Sequence, residues 1–367
     1  MERTTMLCMA AVLAITASAC GDDATSGGTT AAGVTTSAVE TTSAVESTAA
    51  VETSVAETTV VSVAAVESTD EYIVYGWGAP CGTDAPGPGL CLVREDGSDA
   101  HPILADLGEL SDPDWSHDGT SIAFVNKRIF GQLWVTDATG TAPRPVLADA
   151  SRCASEARVP AWSPDDTRIA FMCLNGSQTE IAIVDVATGE VSSVYKAAEH
   201  EESWNPRWSP DGSKLVFERD SFEGDTITGG EIVVIPAGGG AVTVVAPSTL
   251  LAGWPDWSPN DDLIVFETNG ISVFETGGPG ATNLYTVRAD GSQMTQLTMN
   301  EKGGDRDSQP SFTPDGRRII HTHVTGYSRG GFGLRHASLI ALDGTDRVVV
   351  DTVFATHPRL RPVPPLG

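Results

Sequence analysis

A thirteen-residue pattern that returns five times confines this 367-residue chain to a repeat architecture. Its fullest form is Asn205–Phe217, NPRWSPDGSKLVF. It recurs as DPDWSHDGTSIAF from Asp112, VPAWSPDDTRIAF from Val159, WPDWSPNDDLIVF from Trp254 and QPSFTPDGRRIIH from Gln309. A truncated copy, HPRLRP, starts at His357. Successive starts are 47, 46, 49, 55 and 48 residues apart. Periods of this size belong to propellers and arrays, whose units bury apolar surface only against their neighbours.

Each copy has a local reading. The residue before the proline is expected to be extended, because the ring disfavours the right-handed helical region there. The aromatic that follows (Trp115, Trp162, Trp208, Trp257, Phe312) faces one side of a short strand. Ser-Pro-Asp-Gly is a tight turn: Pro fixes φ, Asp bonds back to the main chain and Gly accepts positive φ. The Ile-Ala-Phe type triplet then alternates inward and outward as a second strand. Two more short runs complete each unit, such as Gln132–Asp137 and Pro145–Ala148 after the first copy. Four strands joined by hairpins, with no helical period, make a propeller blade.

These residues resemble the WD40-like repeat of the TolB propeller family, whose signature is a Pro-x-Trp-Ser-Pro-Asp-Gly hairpin. The resemblance runs from about Glu71 to the C-terminus. It implies an all-β fold, a six-bladed β-propeller with four-stranded antiparallel blades. It implies far less about function, because the fold hosts many roles. Residues 71–367 suit six blades of just under fifty residues. The first blade holds Tyr72–Trp77, Leu90–Arg94 and Pro102–Leu104 but lacks an innermost strand. His357–Arg361 is expected to supply it, so that the C-terminal strand closes the ring and removes free sheet edges.

Ahead of the repeats stand two segments of different character. Residues 1–20, MERTTMLCMAAVLAITASAC, carry one basic residue, Arg3, and a short apolar run ending in small residues before Cys20. That run is too short to span a bilayer and reads as an export signal. Ala17-Ser18-Ala19-Cys20 resembles a bacterial lipobox, which implies cleavage before Cys20 and acylation of that residue. Two or three acyl chains, at ~0.8 kcal/mol per buried methylene, would make attachment long-lived. Residues 21–70 are mostly Thr, Ser, Ala, Val, Gly and Glu, with SAVETT, SAVEST and AAVETS in succession. Such a segment cannot bury enough surface to fold and is expected to be a tether, with a mean reach of roughly 40 Å. The namesake of the family carries an α/β domain ahead of its propeller; the Thr/Ser-rich segment stands in that place here. The expected location is outside the cytoplasm, with the membrane reached through the lipid alone.

With Cys8 in the signal and Cys20 lipidated, four cysteines remain. Cys81 and Cys91 bracket a Gly/Pro-rich loop in the first blade. Cys153 and Cys173 flank the first two strands of the third, which start and end on the same side. Two local disulfides, Cys81–Cys91 and Cys153–Cys173, are expected in an oxidising compartment. A four-thiolate metal site is disfavoured because no CxxC spacing exists.

The chain has a formal charge of −27. Nine acids and one base fall in residues 1–70, leaving 40 acids against 21 bases, or −19, in the repeats. Nucleic acid is excluded as a partner, since nothing offsets phosphate repulsion. The informative aromatics are those outside the repeat core: Trp77, Trp204 and Trp254. All three map to one mouth of the ring, together with the longer connections 76–89, 219–230, 268–283 and 323–334. Arg219, Arg306 and His323 map beside them, as do Glu201, Glu202, Asp305 and Asp307. Aromatics there could stack on a sugar or anchor a partner's side chain, or simply plug the channel. Carboxylates on facing loops could hold Ca²⁺, but no DxDxDG loop supports it. His321 takes the position of Phe124, Phe171, Phe217 and Phe266 and is expected to be packed.

No GxSxG elbow, HExxH helix or phosphate loop is present, and no catalytic residue, metal or cofactor is assigned. The leading expectation is a monomeric binding module that grips an envelope protein or cell-wall glycan. The alternative is a lyase or hydrolase acting on extracellular polymer, with His323 and nearby carboxylates as acid and base.

Overall fold

The computed structural model describes residues 72–76, 81, 89–129, 131–153, 155–268, 282–301, 305–325, 334–350 and 358–362. These form six four-stranded antiparallel sheets. Blade 1 contains β1 (Tyr72–Tyr75), β2 (Leu90–Arg94) and β3 (His101–Ile103). Blade 2 is β4 (Leu110–Trp115), β5 (Ser121–Asn126), β6 (Gln132–Asp137) and β7 (Arg144–Pro145). Blade 3 is β8 (Glu156–Trp162), β9 (Arg168–Asn175), β10 (Gln178–Asp185) and β11 (Val191–Lys196). Blade 4 is β12 (Glu201–Trp208), β13 (Lys214–Glu223), β14 (Thr226–Pro236) and β15 (Thr243–Ala246). Blade 5 is β16 (Ala252–Trp257), β17 (Leu263–Thr268), β18 (Asn283–Arg288) and β19 (Thr295–Gln296). Blade 6 is β20 (Arg306–Phe312), β21 (Arg318–Thr325), β22 (Leu334–Ala341) and β23 (Val348–Val350). The last strand, β24 (Arg359–Leu360), pairs with β1 through Ile73↔Leu360 and Val74↔Arg359, which gives blade 1 its innermost strand. Among the described residues no helix is long and apolar enough to cross a membrane.

The core is divided among the blade interfaces. One cluster joins Leu133 and Val135 of blade 2 to Trp162, Ile169 and Phe171 of blade 3, and five others join the remaining neighbours. The repeat aromatics are buried between blades, Trp115 at 5 % exposure and Trp208 at 6 %. His321 is fully buried in the place of the phenylalanines, and burial pushes its imidazole pKa down to about 4.

The Ser-x-Asp turns are closed by one recurrent knot. Ser209 Oγ donates to Asp211 Oδ1 (2.6 Å) and accepts the Lys214 N–H (2.9 Å), while Ser213 N–H and Oγ also donate to Asp211. Ser116–Asp118, Ser163–Asp165 and Thr313–Asp315 repeat the first contact. A hydroxyl that donates one way and accepts the other is why Ser or Thr follows the aromatic. Asp211→Ala removes three bonds at an exposed site and should cost about 1 kcal/mol, read as a lowered urea midpoint with an unchanged slope.

The x-Pro step departs from the extended form expected. Asp112, Val159, Asn205, Trp254 and Gln309, each preceding the proline, have φ between 45° and 55°. At each the innermost strand bulges: β12 pairs Trp204↔Glu218 and then Arg207↔Val216, so two residues lie opposite Phe217 alone. Proline has no N–H for the ladder, and a bulge is where a sheet interior tolerates it. The bulge turns the residues on either side of it to new directions. Those after the proline form an inner belt: Asp114, Ala161, Arg207, Asp256, Ser311 and Arg359. Arg359 lies 3.6 Å from Asp114, and Arg207 3.6 Å from Asp256. Asp114 also accepts the Trp162 N–H (2.9 Å) and Asp256 the Phe312 N–H (2.8 Å), so the belt ties each of these blades to the next.

Candidate functional site at the mouth of blades 4 and 5

Residues before the bulges build one rim of the ring, and blades 4 and 5 give it its chemistry. Cross-strand pairing puts Glu202 opposite Asp220 and Trp204 opposite Glu218, so these four side chains share one face. Glu218 and Asp220 are buried, at 4 % and 5 % exposure, and Glu267 of blade 5 is 3 % exposed. Among the described residues no Lys, Arg or His lies within 4.0 Å of these three carboxyl groups. Burial without a counter-charge penalises the ionised form. It pushes the Glu267 carboxyl up to about 8, and raises both Glu218 and Asp220 well above the usual range. The neighbouring Glu218 carboxyl adds to burial in raising Asp220, because two like charges side by side disfavour ionisation.

These acids also hold the bulges. Glu218 Oε2 accepts Asn205 Nδ2 (2.7 Å) within blade 4 and the Trp254 N–H (3.0 Å) of blade 5. Glu267 Oε2 accepts the Gln309 N–H (2.6 Å) of blade 6. Gly253 makes room: a Cβ there would lie 2.9–3.0 Å from the Glu218 carboxyl atoms.

Of the residues expected at this mouth, Trp204 and Trp254 are half-buried and stand at the two bulges just described. Trp204 Nε1 donates to Glu202 (3.0 Å), and the Arg158 guanidinium lies 5.8 Å from its ring. Glu199, Glu223 and Asp225 are exposed around the same rim, with Glu201 half-buried. Arg219, one residue off the Glu218–Asp220 face, turns to Glu231 (2.5 Å) and to Tyr195 of blade 3. Arg306 is buried at the start of β20. His323 is buried too, with Nδ1 2.7 Å from Asp307. Asp307, fully buried, accepts both terminal nitrogens of Arg347 (2.8 Å each) and Asn300 Nδ2 (2.8 Å). Burial would raise its pKa, but the Arg347 and His323 bonds overrule that and hold it well below the carboxylate range. The group braces blade 6. Cys20 and Trp77 lie outside the described residues. The connection 219–230 is no loop: β13 and β14 run through it as a hairpin, pairing as far as Glu223↔Thr226.

Both disulfides join the pairs expected, Cys81–Cys91 and Cys153–Cys173, with Cα separations of 5.4 and 5.3 Å. Cys91 sits inside β2 as expected, and Cys173 sits inside β9 instead of just after it. No group of three or more His, Cys, Asp or Glu among the described residues is disposed to hold a metal. Sequence reading passed over Glu218, Asp220 and Glu267. The available signal was an acid directly after the second-strand aromatic, where blades 2 and 3 have Val125 and Met172.

The family profile described as the TolB beta propeller domain matches residues 119–330, more than half of the chain. The chain belongs to the TolB β-propeller family. The uncharacterized peptidase YuxL of Bacillus subtilis is 26 % identical over 197 residues, 44 % of this chain and 28 % of that one. The Tol-Pal system protein TolB of Bordetella pertussis is 31 % identical over 157 residues, 42 % of this chain and 32 % of that one. The match therefore spans about a third of these relatives' own length. Two solved structures share the fold. TolB from Acinetobacter baumannii has a TM-score of 0.57 at 18 % identity, covering 79 % of this chain and 66 % of that one. A putative TolB from Agrobacterium tumefaciens has 0.55 at 19 %, covering 78 % and 90 %. This TolB-family chain keeps the propeller hairpin and concentrates acids at one rim of blades 4 and 5.

Proposed function

We propose that this chain is a binding module of the bacterial cell envelope, held outside the cytoplasm by lipid on Cys20, whose acidic mouth takes a basic segment of a partner protein. The observation that carries the reading is the rim of blades 4 and 5. The exposed or half-buried Glu199, Glu201, Glu202, Glu223 and Asp225 supply the negative charge around Trp204, and the buried Glu218, Asp220 and Glu267 beside them have no basic side chain within 4.0 Å among the described residues. Carboxylates of one sign around a concave rim steer cations inward, and an indole beside them adds cation–π attraction. Relatives named for the Tol-Pal system support an envelope protein as partner. The tether would let the ring search the space around its anchor.

Crosslinking in cells, followed by mass spectrometry, tests this on the full chain. A discrete partner should be captured by the wild type and reduced at least tenfold by Trp77→Ala/Trp204→Ala/Trp254→Ala. With the purified partner, affinity should fall as salt rises from 50 to 500 mM, because rim charges are screened (Debye length ~10 Å at 0.1 M). Undiminished capture by the triple variant would defeat the proposal, and retention on a cell-wall glycan in place of protein would reassign the ligand.

A second reading, an enzyme acting on extracellular polymer, rests on the buried Asp307 that orients His323. Turnover on a polysaccharide panel, abolished by His323→Asn, would establish it.

A further inference from the structure

The opposite rim of the ring, where the Ser-x-Asp turns lie, carries a second feature that is independent of the acidic mouth. Between blades 2 and 3 opens a cavity of ≈310 Å³. One water in the liquid occupies about 30 Å³, and small-molecule sites start near 300 Å³. Its walls come from the β4–β5 turn, the ends of β6 and β10, the β6–β7 turn and the β8–β9 turn. They present the hydroxyls of Ser116, Thr120, Ser121 and Thr136, the Trp162 indole and Arg144.

Three further observations mark the place. Thr136 and Trp162 are 3 % and 5 % exposed, and Thr136 Oγ1 and Trp162 Nε1 have no hydrogen-bond partner among the described residues. The indole N–H groups of Trp115 and Trp257 are also unmet, but only Trp162 lines this cavity beside a second unmet group. In the repeat, Trp208 Nε1 satisfies itself on Ala161 O (3.0 Å). Finally, the turn of blade 3 has Asp166 where three other copies have Gly119, Gly212 and Gly316. Asp166 adopts φ 55° beside 66–67° for the glycines. A non-glycine residue there costs roughly 1–2 kcal/mol. Its carboxylate takes the N–H groups of His117 (2.7 Å) and Asp118 (2.9 Å), clamping the two turns that frame the opening.

The chemistry selects a neutral, hydroxyl-bearing ligand. Asp118 and Asp137 already accept donors from their own turns, Asp118 from Ser116 and Thr120, Asp137 from Thr139 and Thr141. With Asp166 also engaged, no free carboxylate set is left for a metal. Three acids against Arg144 repel anions. What remains are an unmet donor and an unmet hydroxyl beside the Ser121 hydroxyl, which suit groups that both donate and accept. We propose that this cavity binds one neutral sugar residue.

The test uses the full chain with methyl glycosides of glucose, galactose, mannose and N-acetylglucosamine, followed by saturation-transfer NMR and titration. At least one should bind with a millimolar dissociation constant. Ala142→Trp fills the opening from an exposed position and should weaken that binding at least tenfold. Thr136→Val, nearly the same shape, should weaken it about fivefold, the value of one hydrogen bond. Trp204→Ala, at the far rim, should leave it unchanged. Circular dichroism melts report whether each variant is folded, and Thr136→Val decides alone if Ala142→Trp is not. Absence of binding across the panel overturns the assignment. So does binding that survives both cavity variants, or that is lost with Trp204→Ala.

Discussion

Glu218→Ala is expected to destabilise the propeller by about 2–4 kcal/mol, measured by denaturant unfolding followed through tryptophan fluorescence. The effect is large because one oxygen serves two blades. Without it the Asn205 amide and the Trp254 N–H, both beside proline bulges, lose their shared acceptor in a place water does not reach. Each orphaned buried donor costs about 1–3 kcal/mol. Glu218→Gln, which keeps an acceptor oxygen, should be within about 1 kcal/mol of wild type at pH 6. Gly253→Ala should cost less than Glu218→Ala, because its methyl presses on the far end of the Glu218 side chain without removing the acceptor. If Glu218→Ala unfolds at the wild-type midpoint, the bulges do not depend on this acid.

Stability should pass through a maximum in mildly acidic solution and decline as pH rises toward 9. Glu267, Glu218 and Asp220 bind protons more tightly folded than unfolded. Above the ordinary carboxyl pKa the unfolded chain has released these protons and the folded chain has not, so each added pH unit favours unfolding until the folded pKa is passed. For Glu267, raised from 4.5 to about 8, the window runs between those values and the loss approaches roughly 4 kcal/mol, at 1.36 kcal/mol per unit. Glu267→Gln should flatten that limb and be the more stable protein at pH 8, and Asp220→Asn should act in the same direction. Below pH 4 the sign reverses. Asp165 and Asp211, held at about 2 by Ser163 and Ser209, contribute stability that is lost as pH falls through that value. Unfolding curves from pH 3 to 9 check both limbs. A wild-type protein equally stable at pH 5 and 8, indistinguishable from Glu267→Gln, would show that water or a cation relieves these acids.

The blade count, the closing strand and the two disulfides could be read from the chain because they follow from spacing. A fifty-residue period fixes the number of sheets. A missing first strand at one end and an extra one at the other leave one way to close the ring. His321 was legible as a packed residue for the same reason, since alignment placed it among phenylalanines.

Side-chain partners on other strands were not legible, because no local rule fixes them. Arg219 reads as a mouth residue by position, yet strand alternation turns it away from Glu218 and Asp220 toward Glu231 and Tyr195. His323 reads as a ligand or base, but its partners Asp307 and Arg347 come from outside its own strand and were not visible in the sequence. The pre-proline residues read as extended, and ring packing instead gives each a positive φ and a bulge. The sequence by itself determined the repeat and its hairpin knot, because Pro, Gly and Ser-x-Asp act on backbone within a few residues of themselves. Only the tertiary structure decided which acids lack a counter-charge, because desolvation and unmet hydrogen bonds exist once neighbouring blades exclude water.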